Sequence, residues 1–330
     1  MNTTPSSPLH LTSTTASDRP RSDQDQPRID ATGRVPAAGE RALVLGGGGS
    51  TGNAWEIGVI AGLSDAGLDV TEADLIIGTS AGSTAAAQIT SATPAELLAA
   101  ILAAAPQPRT GPVGSDRGRA PTGPVADHLE RTSRIIAAAE DAADMRRRMG
   151  AAALELDAAS DGSRQTRWRA TVAARLPSQR WPERTVFITA VDARTGEPVV
   201  FDRHSGVDLV DAVAASCASG FAYRIGGSRY IDGGYRRNEN ADLAAGYGRV
   251  LVLSPFGGRS RHPLEWGMQL TAQVDELRAR GSSVETIFPD GNSEHMFGAN
   301  AMDLSLRPPA ARAGYDQGRA LGEQLTGFWR

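Results

Sequence analysis

The sequence predicts an α/β domain with a mainly parallel central sheet. Three observations carry this. A buried apolar strand, Ala42-Leu43-Val44-Leu45, runs directly into four glycines and then into a helical pattern. A second apolar stretch, Leu75-Ile76-Ile77, turns sharply at Gly78-Thr79-Ser80-Ala81-Gly82 into an alanine-rich run. Strand and helix patterns then alternate across most of residues 41–330, and two strands joined through one helix imply a right-handed βαβ unit.

Taken in order, residues 1–38 are rich in Ser, Thr, Asp, Pro and Arg and poor in large apolar residues. Such a segment cannot bury enough surface to offset its ordering entropy, so a disordered tail is expected, followed by one domain over 39–330. After the first strand and its glycines, Trp55, Ile57, Val59, Ile60 and Leu63 recur at helical spacing, with a stop near Gly67. Asp74 to Gly78 is the second strand. Pro94 opens a helix through Ala104. The Pro/Gly/Arg-rich stretch 106–124 reads as a mobile surface loop, either a lid or entrance or an irregular insertion with no role. Residues 125–177 read as two or three helices, with Arg146-Arg147-Arg148 on a solvated face. Thr185 to Val191 and Pro198 to Asp202 form a hairpin about Arg194-Thr195-Gly196-Glu197. A helix follows over Val207 to Ala218. A short strand ends at Asp232, another spans Arg249 to Leu253, and a helix is expected over Glu265 to Arg280. A strand from Val284 to Phe288 and a helix from Ala310 to Phe328 complete the chain.

The 330 residues carry a formal charge of −4, and no basic block suggests nucleic acid. Every Lys/Arg position is arginine, a bias of codon composition. The single cysteine, Cys217, rules out an internal disulfide, fits a reducing compartment and reads as a small core residue. The N-terminus lacks the basic-then-apolar order of a signal peptide. The longest apolar run, Leu97 to Ala105, is far short of the roughly 20 residues that span a bilayer. A soluble, cytoplasmic protein is expected, with any membrane contact peripheral. The sequence leaves oligomeric state open.

The chemistry concentrates in three places. Gly78-Thr79-Ser80-Ala81-Gly82 has the G-x-S-x-G spacing of a nucleophile elbow, where a strained serine needs neighbours without a Cβ. A chance strand-to-helix turn has the same five-residue pattern. The loop Gly46-Gly47-Gly48-Gly49-Ser50-Thr51-Gly52 matches G-x-G-x-x-G, but the acid that would hold a ribose is missing after the second strand; Asp69 and Asp74 precede it. A phosphate loop needs Lys after Gly52, and the residue is Asn53. The functional reading left is an oxyanion hole, with backbone amides around Gly47, Gly48 and Gly49 converging at a helix N-terminus; the alternative is a tight turn that merely needs small residues. A serine nucleophile needs a base. Asp232, ending a strand before Gly233-Gly234, is the better candidate. His295 suits the chain order of an α/β-hydrolase triad, but too few strands precede Ser80 for that fold. His128 and His262 sit in polar contexts and read as solvated. No metal or organic cofactor is called for, and no clustered ligand set is visible.

Together, Gly47-Gly48-Gly49-Ser50-Thr51-Gly52, Gly78-Thr79-Ser80-Ala81-Gly82 and Asp232-Gly233-Gly234 resemble the three blocks of the patatin-like phospholipase family, in order, over roughly residues 41–320. Ala215-Ser216-Cys217-Ala218 and Asn240-Ala241-Asp242-Leu243 belong to the same resemblance. It implies a three-layer α/β/α sandwich and a Ser–Asp dyad without catalytic histidine. Ser80 would be the nucleophile, Asp232 the base, the glycine loop the oxyanion hole, and lipid acyl esters the substrates. The family usually carries Arg or Lys where Thr51 stands, and typically a Pro near the place of Ser219. The rival functions are a non-catalytic lipid- or acyl-binding module on the same fold and a nucleotide-binding oxidoreductase.

Overall fold

The computed structural model describes residues 30–31, 39–104, 124–158 and 162–330. The expected tail, apart from Asp30 and Ala31, and the expected loop at 106–124, apart from Pro124, lie outside the described residues. Ala31 is fully buried, and its N–H donates to the Val200 carbonyl at 2.8 Å.

The strands are β1 (Gly39–Leu45), β2 (Leu75–Gly78), β3 (Thr185–Asp192), β4 (Pro198–Phe201), β5 (Tyr223–Ile225), β6 (Ser228–Asp232), β7 (Tyr247–Leu253) and β8 (Ser283–Ile287). They form one sheet in the hydrogen-bonded order β5-β6-β3-β2-β1-β7-β8, with β4 also paired to β3. The pairs β1–β2, β1–β7, β2–β3 and β7–β8 are parallel; β3–β4, β3–β6 and β5–β6 are antiparallel. The helices are α1 (Gly49–Asp65), α2 (Ala81–Ile89), α3 (Pro94–Ala103), α4 (Pro124–Ala138), α5 (Ala142–Ala158), α6 (Ser163–Ala173), α7 (Leu209–Ser216), α8 (Leu270–Ala279) and α9 (Arg307–Trp329).

Side-chain alternation along the strands divides the core into layers. Leu43, Leu45, Ile76, Val186, Ile188, Leu251 and Leu253 face a core shared with α1, α2, α3, α7 and α9. Ala42, Val44, Leu75, Ile77, Phe187, Val250 and Val252 face the opposite core, which α8 and the 241–244 turn cover. The result is the three-layer α/β/α sandwich. Helices α1 and α9 touch backbone to backbone: a Cβ on Gly58 would lie 2.1 Å from the Ala311 carbonyl oxygen. No described helix is long and apolar enough to cross a membrane.

Sequence and structure differ in four places. The β5 strand was not expected; it is three residues long and pairs with β6 across Gly226-Gly227. Helix α8 begins at Leu270, five positions after the expected Glu265, because a one-turn 3-10 helix at Leu264–Trp266 ends at Gly267 with φ +62°. His128 and His262 are half-buried, not solvated: His128 Nε2 lies 3.1 Å from Ser219 Oγ, and His262 stacks on Trp266. Arg146 is likewise half-buried, its Nε donating to the Gly196 carbonyl at 2.8 Å, while Arg147 and Arg148 stay exposed beside Asp144.

The second glycine of the elbow is fixed by a close approach. A Cβ on Gly82 would lie 2.0 Å from the Leu45 carbonyl oxygen. Gly82→Ala must therefore push α2 off the end of β1. A loss of about 2 kcal/mol or more in urea unfolding is expected. An unchanged unfolding midpoint would contradict that contact.

Candidate active site

The parallel strands β1 and β2 end side by side, with Leu45 paired to Gly78. Each then turns into a helix, so the glycine loop and the elbow meet at one edge of the sheet. Ser80 sits at the turn with φ +53° and ψ −114°, a conformation costly for a residue with a Cβ. Its surroundings fix that geometry. Ser80 N–H donates to Ser216 Oγ at 2.9 Å, and its carbonyl accepts from Ser83 Oγ at 2.6 Å and from the Cys217 thiol at 3.0 Å.

The strained turn aims the hydroxyl at a carboxylate. Ser80 Oγ donates to Asp232 Oδ2 at 2.8 Å. Asp232 closes β6, and its other oxygen, Oδ1, accepts the Gly234 N–H at 2.8 Å. Gly233 is pressed against β3, where a Cβ would lie 2.3 Å from Thr189 Oγ1. Burial pushes the Asp232 carboxyl up to about 6, against the lowering effect of the Gly234 amide and the Ser80 hydroxyl. Burial also raises the Cys217 thiol to about 11, with the Asp232 charge adding to it, so this cysteine stays protonated.

The glycine loop lies against the serine: a Cβ on Gly47 would stand 3.6 Å from Ser80 Cβ. The Gly47 N–H is already engaged, donating to the Asn238 carbonyl at 3.0 Å, and Asn238 Nδ2 donates back to the Gly47 carbonyl at 3.1 Å. The Gly48 and Gly49 N–H groups have no protein acceptor among the described residues. Gly48 caps the start of α1 and packs on Pro255; Gly52, one turn on, packs on the same proline.

Sequence reasoning missed the residue that ties the two halves together. Asn240, itself at φ +56°, is fully buried. Its Nδ2 donates to Thr79 Oγ1 at 2.9 Å and lies 3.3 Å from the Gly233 carbonyl. It thus bridges the residue before Ser80 to the residue after Asp232. The Asn240-Ala241-Asp242 block belongs to the resemblance above, but nothing in its local pattern discloses that bridge. His295 is not drawn in. It is exposed, and its Nδ1–H donates to the Asn292 carbonyl at 2.9 Å.

These elements define a class: a serine at a strained strand-to-helix elbow, bonded to a buried carboxylate on an α/β/α scaffold. The family model for patatin-like phospholipase matches residues 43–245. The chain belongs to the patatin-like phospholipase family, which acts on lipids as acyl hydrolases. Among solved structures, VipD from Legionella pneumophila is similar at 13% identity and a TM-score of 0.37, over 88% of this chain and 67% of that one. No curated protein matches the chain.

Proposed function

We propose that the protein is a serine-dependent lipid acyl hydrolase of phospholipase A or esterase type, working through a Ser80–Asp232 dyad. The observation that carries this is the 2.8 Å bond from Ser80 Oγ to Asp232 Oδ2. Asp232, with its carboxyl near 6, is ionised at neutral pH yet basic enough to accept a proton. Ser80 Oγ attacks the ester carbonyl while Asp232 takes its proton. The carbonyl electrons move onto oxygen, and the amides of Gly48 and Gly49 receive that charge at the positive end of α1. Gly47 contributes close approach to Ser80, since its amide is occupied. Collapse of the intermediate expels the alcohol, which leaves with the proton held by Asp232. Water then attacks the acyl-serine, again losing a proton to Asp232. The fatty acid departs and Ser80 regains its hydrogen.

Incubation with phosphatidylcholine and with p-nitrophenyl butyrate tests this reading. Fatty acid and p-nitrophenol should be released. Lipid bound without turnover would make the protein a binding module instead.

Four large apolar side chains are exposed among the described residues: Leu264, Phe288, Met302 and Leu304. All stand on the segments that follow the C-terminal ends of β7 and β8, the sheet edge that also carries Ser80. This edge offers a surface for peripheral contact with lipid, and a single free cysteine is compatible with a cytoplasmic enzyme. Met302→Asp with Leu304→Asp should reduce co-sedimentation with phosphatidylcholine vesicles several-fold. Unchanged co-sedimentation would remove this edge as the contact.

A further inference from the structure

We infer that Arg307 is a positioning residue for the oxyanion amides, and that its guanidinium supplies positive charge behind them; this rests on the acyl-hydrolase reading above. Arg307 opens α9, outside the residues that the family model matches. Its Nη1 donates to the Ser50 carbonyl at 2.7 Å and lies 3.1 Å from Ser50 Oγ. Its Nη2 donates to Asn53 Oδ1 at 3.2 Å. Ser50 and Asn53 belong to the first turn of α1, directly after Gly48 and Gly49.

The same C-terminal segment grips the loop a second time. The Ala301 carbonyl accepts the Thr51 N–H at 3.0 Å and the Thr51 hydroxyl at 3.4 Å. It also lies 2.8 Å from where a Cβ on Gly49 would stand. The turn carrying the two unengaged amides is therefore clamped from outside by Ala301 and Arg307.

The charge is placed against the local electrostatics of the fold. A cation at a helix N-terminus meets the positive end of the dipole. The first turn of α1 holds no acidic residue. Among the described residues Arg307 has no carboxylate partner. Burial, and then the positive charge of Arg175, lower its guanidinium to about 10. Such a cation is poorly compensated in the resting protein. An anion forming beside Gly48 and Gly49 relieves it, and the tetrahedral oxyanion is that anion. Arg307 therefore interacts more favourably with the transition state than with a neutral ester, which places its effect in kcat.

Full-length Arg307→Gln and Arg307→Lys test this with neutral p-nitrophenyl butyrate and with fluorophosphonate labelling of Ser80. Arg307→Gln should lower kcat about 10- to 100-fold, leave KM within about twofold, and slow labelling in parallel. Arg307→Lys, which keeps the charge, should recover most of that loss. A folded Gln variant with kcat within twofold of wild type would overturn the inference. So would a raised KM at unchanged kcat, or a Lys variant as slow as the Gln variant. If the Gln variant does not fold, Arg307→Lys decides alone: a modest fall in kcat at constant KM supports the inference, and a change in KM alone overturns it. Failure of the wild type to label at Ser80 would instead remove the hydrolase reading beneath it.

Discussion

Ser80→Ala is expected to cut kcat on p-nitrophenyl butyrate by about 10,000-fold or more, to the level set by binding and the oxyanion amides alone. The size follows from the proposed covalent catalysis: without Oγ no acyl-serine forms, and among the described residues no other hydroxyl or thiol is hydrogen-bonded to Asp232. The Cys217 thiol is close, but it donates to the Ser80 carbonyl and burial keeps it protonated. The substitution leaves the fold intact, because Ser80 is held through its backbone by Ser216, Ser83 and Cys217. Retained activity above about 1% of wild type would contradict the nucleophile assignment. His295→Ala serves as the control: its imidazole points to the Asn292 carbonyl, and full activity is expected.

Asp232→Asn is the second large effect, expected to lower kcat/KM by about 100- to 10,000-fold through loss of the general base. The wild-type pH profile carries the same information. With Asp232 as the proposed base, only the carboxylate is active, so kcat/KM should fall as pH drops through about 6 and level off above it. Stability has the opposite sign. The folded carboxyl titrates near 6 and the unfolded one near 4, so its favourable contribution is complete below about pH 4 and is lost as pH rises through about 6. Holding it ionised at pH 8 costs about 3 kcal/mol. Asp232→Asn should therefore melt above wild type at pH 8 and lose that advantage at pH 4. An active Asn variant, or a wild-type profile flat from pH 5 to 8, would remove Asp232 as the base.

What could be read from the sequence was local. The G-x-S-x-G spacing, the glycine loop after a strand and the Asp-Gly-Gly turn each constrain a few consecutive residues, and the structure brings all three together. Strands with long apolar runs were legible for the same reason. The three-residue β5 has too few side chains to show a period. The start of α8 depended on Gly267 taking a positive φ, which many glycines can do and few must. The occupied Gly47 amide and the Arg307 clamp lay beyond reach because they are contacts between distant parts of the chain. Arg307 meets Ser50 across 257 positions, and no spacing rule connects them.

Peptide mapping after fluorophosphonate treatment tests the central claim most directly. A single phosphonyl adduct on Ser80 is predicted, formed faster above pH 6 than below it and strongly slowed in Asp232→Asn. No adduct, or an adduct on another residue, would contradict a Ser80 nucleophile activated by Asp232.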